Sequence, residues 1–340
     1  MRLLIFTQKI DKNDSILGFF HTWLIEISKK FDSVSVICLE LSEFDLPKNV
    51  TVFSLGKEKE VSKFVYVWNL YKYLFLISGT YEAVFIHMNQ EYVLLAGLYW
   101  KMKNTPIYLW RNHPRGSVLT RMAVAMSTKV FCTSNQSFTA RFKKTVIMPA
   151  GIDTRVFKPV PGVVRKKYSA CVVGRIAPIK HVEVALEAVN ILVKEGTQIS
   201  LTIVGSPQKK DFEYFNSLKK YAADQNLSNV VSFVEAVAPE SLPEIYSSHE
   251  ICLNLTESGS FDKTIVESAS CGAIPLVTSS AFEGMLPPVC ITTSNPRDIA
   301  DSLKKLLTAH EQVEVQDKLK SFVDSQSLSA LMDKLVEEIK

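Results

Sequence analysis

The chain has 340 residues, of which 47% are hydrophobic, with 39 Lys and Arg against 35 Asp and Glu. This length and composition indicate an ordinary globular protein and favour two domains over one. The apolar stretches are interrupted by Lys72 or are too short to cross a bilayer, which excludes a transmembrane helix. The six cysteines lie scattered without paired spacing, so we expect reduced core residues rather than disulfides or metal ligands.

Charge is unevenly distributed along the chain. Residues 1–150 contain 19 Lys and Arg against 11 Asp and Glu, which leaves 20 against 24 for the rest. A basic first half predicts weak association with an anionic membrane or with a phosphate-bearing acceptor, and a solvated basic face explains the charge equally well. Because no signal sequence precedes the first apolar run, we expect a cytoplasmic protein, with the inner face of the cell membrane as a peripheral site. Nucleic acid is not an expected partner.

The first half alternates apolar and helical segments. The strand "RLLIFT" is followed by the helical "LGFFHTWLIEISKKF" and by "VSVICL", and the strands "EAVFIHM", "PIYLW" and "KVFCTS" come later. Strands alternating with helices predict a parallel sheet covered on both faces. The aromatic series in residues 64–76 fits either a helix at a membrane interface or a core helix.

The alternation pauses at "GIDTRVFKPVPGVVRKKY" and resumes at "SACVVGR". We therefore predict an N-terminal domain over residues 1–160 and a second, doubly wound domain over 161–325. Residues 326–340 are predicted to form a helix that packs back toward the first domain.

The segment "VVGRIAPIKH" places two cations after a buried strand. The strand ends in Gly174, and Arg175 and Lys180 follow on either side of Pro178. Fixed positive charges at the carboxyl end of a strand suit a diphosphate leaving group. The alternative is that Arg175 pairs with a carboxylate while Lys180 opens a solvated helix.

A second polar segment, "TESGSFDKTIVESASCG", follows the strand "EICLNL". If Asp262 caps the helix, the amides near Lys263 and Thr264 are predicted to form a phosphate cradle. Glu267, one turn further, would accept hydrogen bonds from a ribose, or would merely pair with a nearby lysine. The loop before the helix supplies the other candidate donor-binding residues, which are Gly259, Ser260 and Phe261.

The motifs "GRIAPIK", "SGSFDKTIVESASCG" and "AGIDTRVFKP" resemble those of the retaining GT-B glycosyltransferases of family four, the glycosyl transferases group 1. The segments "FIHMNQEYVLLAG" and "RNHPRGS" are similar to the bacterial cell-envelope members. The resemblance implies two Rossmann-like domains facing across a cleft, with Arg175 and Lys180 on the donor diphosphate and Glu267 on the ribose. Gly259 stands where many members carry a glutamate that contacts the donor sugar, and Glu257 lies two residues away.

The resemblance also implies sites in the first half. The polar loop "TQKIDKNDSILGFF", with Gly18 at the start of its helix, resembles the acceptor-side loop. His113 follows a strand, at the place where the family has a histidine that contacts the donor sugar, although a lone loop histidine is more often solvated. His87 is a weaker candidate of the same kind.

The resulting prediction is a glycosyltransferase that moves a sugar, most simply a hexose, with retention. The donor would be a UDP- or GDP-sugar, with no cofactor and no metal, and the acceptor a glycan or a lipid-linked molecule of envelope polysaccharide or glycoconjugate synthesis. Two rivals share the fold: a sugar-nucleotide epimerase or phosphorylase, and a non-catalytic nucleotide-binding subunit.

Overall fold

The computed structural model describes residues 1–14, 17–256 and 261–340, without the side chains of residues 309–311. The chain divides into two compact units. The first consists of Met1–Gly151 and Leu328–Lys340, and the second of Ile152–Ser327. The division therefore falls nine residues before the predicted end of the first domain at 160.

Residues 152–160 belong to the second unit because their contacts lie there. The Phe157 ring packs on a core cluster of that unit. The Val160 amide donates to Ser247 Oγ at 3.0 Å, and the Ser270 hydroxyl donates to the Phe157 carbonyl. The prolines and glycine that suggested a linker thus follow the true boundary.

The first unit is built on a parallel sheet. In its described residues seven strands run in the order β3-β2-β1-β4-β5-β6-β7. Strands such as β4 and β5 are buried along their whole length, as expected for a parallel sheet with both faces covered. The strands are β1 (Arg2–Ile10), β2 (Ser33–Leu41), β3 (Val50–Ser54), β4 (Ala83–His87), β5 (Ile107–Trp110), β6 (Lys129–Cys132) and β7 (Thr145–Ile147).

Helices cover the two faces of this sheet separately. One core cluster joins the sheet to α1 (Phe19–Ser28) and to α11 (Leu328–Ile339). The other joins the sheet to α2 (Lys63–Leu76), α3 (Glu91–Met102) and α4 (Val118–Met126). The α4 helix begins at a capping box, in which Ser117 and Thr120 satisfy each other's amides.

The C-terminal helix α11 completes the first unit. The Tyr108 hydroxyl donates to the Ile339 carbonyl at 3.2 Å, and Lys129 pairs with Glu338 at 2.7 Å. Leu331 and Leu335 are buried in the same core as Trp23 of α1. The last helix of the chain is thus part of the unit with which the chain begins.

The second unit contains, among the described residues, a five-stranded parallel sheet in the order β10-β9-β8-β11-β12. The strands are β8 (Ser169–Val173), β9 (Ser200–Val204), β10 (Val231–Val234), β11 (Ile251–Asn254) and β12 (Ile274–Val277). The helices are α5 (Val182–Lys194), α6 (Phe212–Asp224), α7 (Leu242–Ser248), α8 (Lys263–Ser270), α9 (Pro296–Leu306) and α10 (Ala309–Ser325). Alternating strands and helices therefore form a doubly wound unit, as the sequence predicts.

Within the ranges that the structure describes, no helix combines the length and the apolar character that a membrane span needs.

Candidate functional site

The candidate site lies in the second unit, at the carboxyl ends of its central strands. The strand β8 lies between β9 and β11, so the segments that follow these three strands emerge side by side. Ligands of open parallel sheets bind at this edge. The segment after β8 carries Gly174, Arg175 and Lys180, and the segment after β11 leads to Asp262.

Two glycines, Gly174 and Gly205, bring together the segments that follow β8 and β9. The Gly174 amide donates to the Val204 carbonyl at 3.0 Å. A Cβ at Gly205 would lie 1.9 Å from the Gly174 carbonyl oxygen, and both residues have positive φ, at 138° and 152°. Only glycine fits this close approach without displacing the backbone. Gly174 therefore shapes the edge of the sheet from which the two cations project.

Lys180 joins the two predicted segments. It ends a short 3₁₀ helix, Pro178–Lys180, and its Cε would lie 3.8 Å from a Cβ at Gly174. Its Nζ lies 2.5 Å from Asp262 Oδ2, and both side chains are largely buried. The structure thus brings together two residues that are 82 positions apart, and it gives Lys180 a partner that the sequence did not predict.

Arg175 behaves differently. Its side chain is exposed at the same edge. The alternative prediction was that Arg175 pairs with a carboxylate. Among the residues whose placement is described, no carboxylate forms an ion pair with Arg175. The guanidinium is accessible to an anion.

Asp262 caps α8, as predicted, but it occupies part of the predicted phosphate cradle. Its Oδ1 accepts from the Thr264 amide at 3.2 Å and from the Thr264 hydroxyl at 2.9 Å. The Thr264 amide is therefore not exposed to a ligand, and that part of the prediction is wrong. Burial raises the pKa of the Asp262 carboxyl, but the nearby Lys180 charge and these hydrogen bonds together hold the pKa below its usual value.

Lys263 and Glu267 lie one turn apart on α8 and are both partly buried. The Lys263 amine nitrogen is buried, and burial lowers the pKa of Lys263, while the charge of Glu267 opposes the shift. Burial raises the pKa of Glu267, while Lys263 opposes it. Tyr246 is fully buried close to this pair. Burial is the main cause that raises the pKa of Tyr246, and the charge of Glu267 raises it further. Glu267 was predicted to be either a ribose ligand or a partner of lysine, and the structure places its side chain next to Lys263.

The loop between β11 and α8 is described only in part. The Phe261 ring packs on Phe282, with 4.7 Å between the ring centroids. The predicted residues Gly259 and Ser260, and Glu257 with them, lie outside the described residues.

The predicted residues of the first unit occupy three different environments. The Gly18 amide donates to the Asp14 carbonyl at 2.9 Å, and a Cβ at Gly18 would lie 2.5 Å from that oxygen. His113 is exposed, and its Nδ1 accepts from the Arg115 amide at 3.0 Å. Glycine at position 18 is therefore explained by the close approach of the preceding loop.

His87 does not line an open surface. It is 1% exposed and stacks on Phe20, with 4.1 Å between the ring centroids. Its Nδ1 lies 3.3 Å from Thr7 Oγ1. His87, the weaker of the two histidine candidates, is therefore a core side chain that fills space between β4 and α1.

Asn254 is a site residue that the sequence reasoning missed. At the end of β11 its Nδ2 donates to Thr264 Oγ1 at 2.8 Å, which ties the strand to the cap of α8. The sequence signal that would have identified Asn254 is a polar residue inside the apolar run "EICLNL".

No group of three or more His, Cys, Asp or Glu side chains in the described part of the chain is arranged so that it would hold a metal ion.

Two Rossmann-like units of parallel sheet, the second with this cluster at its carboxyl edge, define a protein of the GT-B class. Residues 153–329 match the model of the family "Glycosyl transferases group 1", and the chain belongs to that family. The family membership and the fold predicted from the sequence are confirmed.

Curated relatives of the chain are bacterial. The D-inositol 3-phosphate glycosyltransferase of Geodermatophilus obscurus is 24% identical over 187 residues, which are 50% of this chain and 41% of that protein. The enzyme of the same name from Frankia alni is 25% identical over 235 residues, 61% of this chain and 57% of that protein. The chain thus spans about half the length of the curated relatives it matches.

Solved structures match the chain along its whole length. Anabaena Alr3699/HepE in complex with UDP has a TM-score of 0.78 at 15% identity, with 99% of both chains covered. WaaG, a glycosyltransferase involved in lipopolysaccharide biosynthesis, has a TM-score of 0.64 at 14% identity, again with 99% of both chains covered. At these identities the likeness concerns the fold.

Proposed function

We propose that this member of the family is a retaining hexosyltransferase that takes its sugar from a UDP- or GDP-sugar. The observation that carries the proposal is the pairing of Lys180 with Asp262 beside the exposed Arg175 at the carboxyl edge of β8. The acceptor would be a glycan or a lipid-linked molecule in envelope polysaccharide or glycoconjugate synthesis. The complexes of Anabaena Alr3699/HepE with UDP and with UDP-glucose support a nucleotide-sugar donor.

In the proposed reaction the bond between the anomeric carbon and the diphosphate oxygen breaks. A new bond to the acceptor oxygen forms on the same face of the sugar, and the proton of the acceptor hydroxyl leaves with the nucleoside diphosphate. Negative charge develops on the departing phosphate while the sugar becomes oxocarbenium-like, so fixed positive charge near that phosphate lowers the barrier.

Lys180 and Arg175 supply this charge in different ways. Asp262 holds the Lys180 ammonium in one position, so little reorganisation is needed when the leaving group becomes charged. Arg175 is free to swing onto the diphosphate, where its planar guanidinium offers a two-pronged contact. Gly174 allows the phosphate to approach the backbone closely, because no side chain projects from it.

Glu267 is the proposed ribose ligand. Its carboxylate oxygens would accept from the two ribose hydroxyls, which are neutral donors. Lys263 lies beside it and favours the ionised form of Glu267 against the effect of burial. Burial still prevails, so the pKa of Glu267 stays raised, to about 7. The pairing with lysine and the contact with ribose are compatible because the carboxyl group has two oxygens.

We further propose that transfer needs no metal ion, because Arg175 and Lys180 carry the positive charge that a divalent ion supplies in other transferases. Turnover measured after EDTA treatment and dialysis should equal turnover of the untreated protein. Activity that disappears with EDTA and returns with magnesium or manganese would contradict this role of the two cations.

We place the protein in the cytoplasm, in peripheral contact with the inner face of the cell membrane, where a lipid-linked acceptor is exposed. The excess of Lys and Arg in residues 1–150 supports this location, since anionic lipids attract basic surfaces.

A thermal-shift screen against uridine, guanosine, adenosine and thymidine diphosphates and their sugars tests the donor. A ligand that binds only the folded protein raises the melting temperature, so the shift identifies the base. The donor found in this way is then incubated with and without candidate acceptors, and the products are separated. A changed sugar nucleotide without acceptor would indicate an epimerase, and binding without turnover would indicate a non-catalytic subunit.

A further inference from the structure

The outer surface of helix α2 is apolar, although it faces solvent. Phe64 is 88% exposed, Trp68 72% and Phe75 67%, whereas Leu70 and Leu74 are the helix residues that are buried. A helix on the surface of a soluble protein normally has the opposite pattern, with polar residues outside. The interpretation of this aromatic series as a core helix therefore fails for Phe64, Trp68 and Phe75.

The exposed aromatic residues form one stripe. Phe64, Trp68, Tyr71 and Phe75 are spaced by four, three and four residues, which places them on the same side of an α-helix. Lys72 is exposed beside the same stripe. Single exposed apolar residues are common on proteins, but a stripe over three helical turns is not.

The stripe continues onto the two neighbouring helices. The Tyr71 hydroxyl donates to the Leu95 carbonyl of α3 at 2.8 Å, and Phe75 and Tyr99 have ring centroids 6.0 Å apart. In turn, α3 lies against α4, because a Cβ at Gly97 would be 2.6 Å from the end of the Met126 side chain. We call the combined surface the α2–α4 face; its exposed apolar residues are Phe64, Trp68, Tyr71, Phe75, Leu76, Leu95, Leu98, Met102, Val118, Leu119 and Met122.

The charges on this face are mostly positive. The three helices carry the exposed cations Lys63, Lys72, Lys101 and Arg121, with Glu91 as their acidic residue. In a two-fold dimer through this face, each copy would present the same cations to the other with little negative charge to offset them. An anionic surface is the complementary partner.

We propose that the α2–α4 face docks on the surface of an anionic phospholipid bilayer. Aromatic and aliphatic side chains would enter the interfacial region, where aromatic rings are favoured, while the lysines and the arginine contact lipid phosphates. This inference rests on the membrane location proposed above, but it does not depend on the glycosyl transfer reaction.

Trp68 provides a site-specific probe. The chain has four tryptophans, and Trp23, Trp100 and Trp110 are each at most 2% exposed. Phosphatidylcholine vesicles with about one third phosphatidylglycerol should shift the tryptophan fluorescence of the full chain to shorter wavelength. Brominated lipid in the same vesicles should quench this fluorescence. Vesicles of phosphatidylcholine alone should leave the spectrum nearly unchanged. In Trp68→Phe the shift should disappear while pelleting with the anionic vesicles is retained.

Two sets of variants test the surface. Pelleting should fall at least about tenfold for Phe64→Ser/Trp68→Ser/Phe75→Ser and for Lys63→Glu/Lys72→Glu/Lys101→Glu. The matched charge control, Lys209→Glu/Lys210→Glu/Lys220→Glu, changes exposed lysines of the second unit and should pellet like the parent. Raising the salt from about 50 to about 500 mM should release the parent. An unchanged nucleotide-induced melting shift shows that the variants are folded.

Four results would overturn the inference, and each differs from a failure of the proposed transfer reaction. A parent protein that does not bind anionic vesicles at low salt removes both the location and the docking face. Binding that persists in both sets of variants, or an unshifted Trp68, removes this face alone. Self-association without lipid that the aromatic variant abolishes would instead identify a protein interface.

Discussion

Lys180 Nζ lies 2.5 Å from Asp262 Oδ2, so one ion pair connects the segment after β8 to the cap of α8. Asp262 accepts hydrogen bonds from the Thr264 amide with its other oxygen, Oδ1. A single carboxylate therefore positions a cation and starts a helix at the same edge of the sheet.

Lys180→Ala should lower both turnover and stability. Transfer is expected to fall about a hundred- to a thousandfold, the scale for loss of one preorganised charge-stabilising group. Because Asp262 then loses its cation in a largely buried place, the free energy of unfolding should also fall by about 1–3 kcal/mol. Lys209→Ala, which changes an exposed lysine at the start of a 3₁₀ turn, is the control and should change neither.

The double variant Lys180→Ala/Asp262→Asn separates these two effects. Asparagine still caps the helix, and it leaves no buried charge without a partner, so most of the lost stability should return. Turnover should stay low, since no cation is restored. Recovery of transfer in the double variant would show that Lys180 acts only through the fold.

Arg175→Ala should affect activity alone. The side chain is exposed, so the denaturation midpoint should stay within error of the parent. Transfer should drop about a hundredfold if the guanidinium contacts the departing phosphate. Steady-state kinetics beside urea denaturation measures both quantities, and a parental kcat/KM would remove Arg175 from the proposed site.

Glu267→Ala should weaken nucleotide binding about ten- to a hundredfold, with a smaller effect on kcat. The proposed contact to ribose is made equally in the ground state and the transition state, so its loss appears mainly in affinity. Isothermal titration with the nucleoside diphosphate gives the dissociation constant. Glu213→Ala, at the exposed start of α6, is the control. An unchanged affinity in Glu267→Ala would leave the pairing with Lys263 as the role of Glu267.

Gly205→Ala should be much more destabilising than Gly196→Ala. Both residues have positive φ, but a Cβ at Gly205 would meet the Gly174 carbonyl at 1.9 Å, whereas nothing lies within 4 Å of one at Gly196. We expect a loss of about 3 kcal/mol or more at position 205 and about 1 kcal/mol at position 196. Equal losses in chemical denaturation would mean that the two loops separate easily.

His249 should make stability depend on pH. It is 3% exposed, and burial lowers its pKa below the usual 6.5. The folded state thus favours the neutral ring, so the contribution of His249 is complete above pH 6.5 and is lost as the pH falls through the folded-state pKa. His249→Gln should flatten this part of the stability curve. A slope below pH 6.5 equal to that of the parent would assign the effect to another group, with His21 as the first candidate because its pKa is also lowered by burial.

Local sequence patterns and side-chain chemistry were enough to predict the buried strands and several residues of the candidate site. Continuous apolar runs predicted the buried strands β4, β5 and β8, because a strand of a parallel sheet meets helices on both faces. The sequence also predicted that Gly174, Arg175 and Lys180 lie at the carboxyl edge of a sheet, because they directly follow such a strand. Asp262 as a helix cap followed from its residue type and from the helical spacing after it.

Tertiary structure alone decided which residues are partners and which faces are covered. The pairing of Lys180 with Asp262 joins residues 82 positions apart, and no local pattern records such a distance. The division at Gly151 depends on Phe157 packing in the second unit, and not on the prolines that follow it. His87 and Trp68 both belong to apolar segments, yet one is buried against Phe20 and the other is exposed. Periodicity specifies the side of a helix or strand, but burial depends on what the rest of the chain packs against that side.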